Sequence, residues 1–139
     1  MSNFTPQELE YLGKQRLGRL ATVNTDGHPQ IAPVGFRYNP DLDTIDIGGR
    51  NFGQSKKFRN ILQNPHVAFV VDDVLPPWIP RCVEIRGVAE PVTTGGKALF
   101  GANYDADDAM IHIHPTQIIS FGLDGEWGPQ SNRKIAQSY

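Results

Sequence analysis

The chain has 139 residues, 39% of them hydrophobic, and a formal charge of −2 at pH 7. That length predicts one domain over residues 1–139, large enough to bury a real core. The near-neutral balance argues against nucleic acid, which needs a broad basic surface, and no apolar run approaches the ~20 residues of a membrane span.

Fourteen Gly and eleven Pro favour many turns and short strands over long helices. Cys82 is the single cysteine, which excludes an intrachain disulfide framework and fits a reducing compartment. The opening MSNFTPQELE lacks the basic and apolar regions of a signal peptide, so a cytoplasmic location is expected.

The first element carries a strong helix-start signal. Thr5 stands at the N-cap, Pro6 at the first helical position and Glu8 three residues after the cap, which together make a capping box. Phe4 and Leu9 are placed as a hydrophobic staple, Leu9 and Leu12 supply the apolar stripe, and Gly13 is expected to end the helix. A strand over 19–24 and a return strand over 30–38 flank Asp26-Gly27, a hairpin turn signal. Ile45 and Ile47 alternate with Asp46 in a third strand, after which Gly48-Gly49 leads into a basic loop.

That basic stretch, 50–65, organises the chain. From Gly48 through Val71 there is no Asp or Glu, yet Arg50, Lys56, Lys57 and Arg59 all lie inside it. Asn51, Gly53 and Ser55 read as turn or cap residues; Phe58, Ile61 and Leu62 then follow at the spacing of a helix that buries one face. Asn64-Pro65 stops that helix. A helix N-terminus offers unpaired N–H groups and a partial positive charge. With a cap hydroxyl at Ser55 and ammonium groups at Lys56 and Lys57, it makes a seat for a phosphate. The plainer reading is a solvated helix face, but such faces mix signs at i, i+4, and here no acid is at hand.

Next, Val67–Val71 is a continuous apolar run, expected of a strand covered on both faces, and 72–80 reads as a proline-rich loop holding up Trp78. Val83, Ile85, Gly87 and Ala89 share one parity and Glu84, Arg86 and Glu90 the other, the pattern of a half-buried strand. A helical turn is expected around 97–100. Ile111, Ile113, Ile119, Phe121 and Leu123 all share odd parity, which predicts one long strand interrupted at Pro115. No periodicity is readable after Asp124. About six strands joined mostly by hairpins, with a few short helices, predict a mainly β protein, a six-stranded antiparallel barrel.

Conventional catalytic patterns are not apparent. His112 and His114 form an HxH pair, but a zinc site needs a third ligand and no nearby His or Cys pattern offers one; two polar residues on a wet strand face are expected instead. Ser55, Ser120 and Ser131 lack a nucleophile-elbow context, and Cys82 beside Val83 reads as a buried, inert thiol. Trp78 fits a lid or a stacking partner for a planar ligand or a neighbouring subunit. A phosphate seat without hydrolytic residues suggests that the bound group brings its own chemistry, as a flavin-like cofactor does.

Several stretches resemble the pyridoxamine-phosphate-oxidase-like superfamily of split β-barrel flavin proteins, in particular the branch that uses the deazaflavin coenzyme F420. They are LGRLATVNTDGHPQIAPVGFRYNP, TIDIGGRNFGQSKKFRNILQNPHVAFVVDD, VEIRGVAEPV and IHIHPTQIISFGL. Ser55, Lys56 and Lys57 match the family's phosphate-binding Ser-Arg/Lys-Lys, with Arg50 and Gln54 beside them as further cofactor-binding candidates. Gln30 through Gly35, with Pro33 and Val34, matches the strand that lines the flavin or deazaflavin ring, and Trp78 falls where relatives reach over the cofactor from a partner subunit.

The resemblance implies a homodimer with the cofactor at the subunit interface and a small-molecule substrate. It also implies hydride transfer from reduced F420 to an unsaturated organic compound, with no catalytic acid assigned. FMN is the alternative cofactor, and a non-catalytic flavin, haem or tetrapyrrole carrier the alternative function. Where pyridoxamine phosphate oxidases carry Gln and Arg, this chain has Cys82 and Glu84, which argues against B6 chemistry.

Overall fold

The computed structural model describes residues 1–101, 103–126, 128 and 130–136. Helix α1 (Pro6–Lys14) starts as its sequence dictates: Thr5 Oγ1 accepts from the Glu8 N–H at 3.1 Å, and the Glu8 carboxylate accepts from the Thr5 N–H at 2.9 Å. Gly13 does not end the helix, which runs one residue further to Lys14. Strands β1 (Leu17–Val23) and β2 (Pro29–Asn39) form the expected hairpin. Its turn closes through Asn24, and Gly27 takes the positive φ of 82° that glycine adopts freely.

Strand β3 (Thr44–Ile47) follows, then helix α2 (Lys56–Gln63), β4 (His66–Leu75), β5 (Ile79–Val92), β6 (Met110–Phe121) and β7 (Ser131–Lys134). All pairings are antiparallel, in the order β3-β2-β1-β4-β5-β6-β7. A further β3–β6 pairing closes the first six strands into a barrel and leaves β7 outside it. Closure removes the sheet edges that an open antiparallel sheet would leave exposed. Inward-facing Leu20, Phe36, Ile45, Ile47, Phe69, Val71, Val83, Ile85, Ile111 and Ile113 are 0–2% exposed and form the core. The rings of Phe36 and Phe69 meet edge-on at 5.3 Å between centroids.

Several expectations need correction. The 72–80 segment is no loop: β4 and β5 stay paired to Leu75 opposite Ile79, so Trp78 stands in a tight hairpin turn. β4 is half-buried, not covered on both faces. Val67, Phe69 and Val71 point inward, while Ala68 and Val70 remain partly exposed. The odd parity of β6 fails at Thr116, because Gly87 pairs with Pro115 and Arg86 with Gln117, so Thr116 is an extra residue. The bulge turns Ile118 (0% exposed) into the core and sends Ile119 to the opposite face.

Gly87 allows this close approach, since a Cβ there would lie 2.3 Å from the His114 carbonyl oxygen. On α2, Leu62 is 57% exposed and Asn60 is buried in its place. The helical turn in the 93–109 link is a short 3₁₀ turn at Gly96–Ala98.

The segment without readable periodicity supplies β7, which pairs with β6 from Gln117 to Ser120. Its Arg133 donates to Glu8 at 2.7 and 3.1 Å, and Ser120 Oγ donates to the same carboxylate at 2.6 Å. The capping-box glutamate therefore also anchors β6 and β7. Burial pushes the Glu8 carboxyl up, but these bonds outweigh it and hold the group below its ordinary value. Among the described residues no helix is long and apolar enough to cross a membrane.

Candidate functional site

The site grows from the start of α2. Ser55 caps the helix: its Oγ accepts from the Phe58 N–H at 3.2 Å and donates to the Phe52 carbonyl at 2.6 Å. Phe58 and Ile61 fasten the helix to the core. Phe52 and Phe58 pack edge-on at 5.6 Å, and Lys57 Nζ lies 5.8 Å from the Phe52 ring centroid. On the inner side of α2, Asn60 Nδ2 donates to Thr22 Oγ1 at 3.0 Å and to Gln30 Oε1 at 2.8 Å, tying helix to barrel wall.

Between α2 and the β1–β2 hairpin lies a cleft of about 480 Å³, lined by Leu20, Thr22, Gln30, Ile31, Ala32, Lys56 and Lys57. Two ammonium groups, an amide and the Thr22 hydroxyl give it polar donors; Leu20, Ile31 and Ala32 give it an apolar wall; among the described residues no carboxylate lines it. Ile31 is 69% exposed, an apolar side chain that a ligand or a second protein surface would cover. A second cleft of about 320 Å³ adjoins across Lys56 and is lined by Arg59, Asn60, Gln63 and the Asn24–Asp26 turn.

The structure therefore brings Gln30, Lys56 and Lys57 together, and distributes the other candidates. Ser55 neighbours the cleft without lining it, and its hydroxyl proton is engaged by Phe52. Arg50 and Gln54 line a separate cleft of about 550 Å³ with Lys97, Asp105 and Asp107. On β2, Pro33 is exposed, the Val34 side chain is buried in the core, and Gly35 packs against Phe100. That placement leaves the main chain of Val34 for any contact outside the barrel. Trp78 is 71% exposed in the hairpin turn, away from the cleft lining.

The acid-free stretch is acid-free along the chain and not in space. Asp107 accepts from the Gly53 N–H at 2.8 Å, and Asp26 lines the cleft beside Lys56 and Arg59. His112 does not sit on a wet face: its Nδ1 is 2.7 Å from Asp46, a carboxylate 4% exposed that also accepts from Thr44 and Asn39. His114 pairs with Glu90 at 2.8 Å. The Cys82 thiol is buried, and burial with nearby Glu84 and Asp72 pushes its pKa up to about 11, so little reactive thiolate forms at neutral pH. Sequence reasoning missed Asn60 and Thr22. A lone Asn between Arg59 and Ile61 gives no signal of its own.

The first six strands thus form a small antiparallel barrel with a cleft against its first hairpin, into which Lys56 and Lys57 bring positive charge. The chain belongs to the pyridoxamine 5'-phosphate oxidase family, matching it over residues 4–122. It is 44% identical over 125 residues to a 5a,11a-dehydrotetracycline/5a,11a-dehydrooxytetracycline reductase of Streptomyces rimosus subsp. rimosus, covering 88% of this chain and 86% of that one. In fold it matches a conserved hypothetical protein from Mycobacterium tuberculosis (TM-score 0.68, 20% identity, 86% of each chain). It also matches General Stress Protein 26 from Bacillus anthracis str. Sterne (TM-score 0.68, 20% identity, 93% of this chain and 96% of that one).

Proposed function

We propose that this protein is an oxidoreductase that uses reduced F420 to saturate a double bond in a small organic substrate. The observation that carries the reading is the cleft in which Lys56, Lys57 and Gln30 converge with an apolar wall and, among the described residues, no acid. Family membership and the 44% identical relative named as a reductase of a dehydro compound support it.

The donor set suits such a cofactor. Lys56 and Lys57 would hold the phosphate by charge-assisted hydrogen bonds, and Gln30 with Leu20, Ile31 and Ala32 would meet the ring. When bound, a reduced deazaflavin would supply a hydride to an electron-poor double bond, with a proton from solvent completing the saturated product. The chain's own part is to bind and orient; hydride transfer needs geometry more than a titrating side chain. Further along β2, Pro33–Gly35 would set the position of the ring face, and Ser55 supports the lysines by fixing the start of α2.

Arg50 and Gln54 would act on a part of the ligand or substrate beyond the phosphate, since they open onto another cleft. Two copies would pair so that Trp78 of one protomer covers the cofactor of the other, in the cytoplasm. FMN is the second reading, because it shares the phosphate and a similar ring and the cleft's donors do not tell them apart.

Titration of the purified protein with F420 and FMN side by side, followed by assay of cofactor oxidation with a panel of unsaturated substrates, tests the reading. We expect the tighter binding and the turnover with F420. A yellow protein that consumes oxygen when reduced moves the assignment to FMN; binding of neither cofactor overturns both.

A further inference from the structure

Asn60 is 5% exposed, and its amide N–H₂ is committed to two oxygens of the barrel wall, Thr22 Oγ1 on β1 and Gln30 Oε1 on β2. A side-chain amide carries one oxygen and one N–H₂. With Oε1 of Gln30 held by Asn60, Nε2 is the Gln30 group left for the cleft that Gln30 lines. Lys56 and Lys57 line the same cleft, and an ammonium group has donors only.

We propose that Asn60 is a positioning residue for cofactor selection: by engaging the Gln30 and Thr22 oxygens with its own N–H₂, it makes the polar side-chain rim of the cleft donor-rich. The cleft then selects a ligand that presents acceptors there, carbonyl or phosphate oxygens. The inference deepens the cofactor reading above and rests on it. The physical reason is competition. A Gln30 amide free to turn could offer its oxygen to the lysine ammonium groups and satisfy them without a ligand. Sequestering that oxygen on a buried amide leaves the lysines dependent on an incoming anion, and spares the ligand the cost of turning the amide on binding. Thr22 gives the arrangement its rigidity, because the same Asn60 nitrogen bonds to both oxygens and so has a fixed place between the two strands.

A double-mutant cycle tests this, with FMN and F420 as probes in a fluorescence titration. Asn60→Leu should weaken binding of the cofactor that the wild-type protein accepts roughly tenfold, and by less than about twofold when Gln30→Ala is already present, because coupled residues are non-additive. Equal losses in the two backgrounds would make Asn60 a merely structural residue and overturn the proposal while leaving the cofactor reading intact. Asn60→Asp keeps the size and serves if Asn60→Leu fails to fold. A carboxylate only accepts, so Gln30 must turn its nitrogen toward it and its oxygen toward the cleft. Affinity should then fall further than with Asn60→Leu, and much of that excess should vanish with Gln30→Ala. Wild-type affinity in Asn60→Asp overturns the proposal, and a wild-type protein that binds neither probe overturns it together with the cofactor reading.

Discussion

Lys57 reaches the cleft from the first turn of α2 with its Nζ 5.8 Å from the Phe52 ring centroid, so its stem is partly fixed before any ligand arrives. Lys56, its neighbour, is more exposed and faces two clefts at once. This difference ranks them. The partly buried ammonium loses less conformational freedom on binding and sits in a drier setting, where a charge-assisted bond is stronger. Lys57→Ala should weaken binding of the cofactor by roughly 1.5–3 kcal/mol, the range for hydrogen bonds to charged groups. Lys56→Ala should cost less. Isothermal titration of both variants checks the order, and equal or absent losses would remove the lysines from the phosphate role.

Helix α1 shows how one short element can hold distant parts of a barrel. Its capping box uses Glu8 to satisfy its own first turn, and the same carboxylate receives Ser120 from β6 and Arg133 from β7. A carboxyl whose pKa is lower in the folded than in the unfolded chain stabilises the fold above the unfolded value. That contribution is lost as pH falls through the folded value. For Glu8, held below its ordinary 4.5, the stability is present at neutral pH and disappears in the acid range under 4.5.

Glu8→Gln should lower stability at pH 7 by roughly 1.5–3 kcal/mol, the range for charge-assisted bonds. It should also flatten the acid limb of stability against pH. Urea melts from pH 3 to 7 measure both, and an unchanged acid limb would mean the carboxylate contributes nothing. At the other end of α1, the β4–β5 hairpin is braced near its turn. Asp73 accepts from Arg81, Tyr11 and Gln15; the Arg81 guanidinium foremost keeps the Asp73 carboxyl below its ordinary value.

For the whole molecule, the question is what covers the apolar groups the barrel leaves outside. Leu17, Ile31, Val74 and Trp78 are 48–71% exposed, and Ile31 lies on the cleft itself. A pairing of two copies that hides these side chains would also complete the proposed cofactor site, with Lys57 from one protomer and Trp78 from the other. Mixed dimers offer a direct check. If each site draws Lys57 and Trp78 from different protomers, a mixture of Lys57→Ala and Trp78→Ala chains forms heterodimers in which one of the two sites is intact. Activity should then rise above that of either variant alone. No recovery on mixing, with heterodimers present by native mass spectrometry, would place both residues in one protomer's site or leave Trp78 outside it.

What the sequence determined by itself was local. The Thr5–Glu8 box, the Asp26-Gly27 hairpin, the Ser55 cap and the alternation of Val83, Ile85 and Ala89 each depend on residues a few positions apart. Short-range geometry turns such spacing directly into structure. The tertiary structure decided what depends on closure of the barrel. It brought Asp107 to the Gly53 N–H, Asp46 to His112, Asn60 to Gln30 and Arg133 to Glu8, pairs separated by 54, 66, 30 and 125 positions. It also reversed the inward face of β6 with one extra residue at Thr116, a change that parity alone could not signal. Periodicity says which side of an element is buried; only the register between strands says which partner waits there.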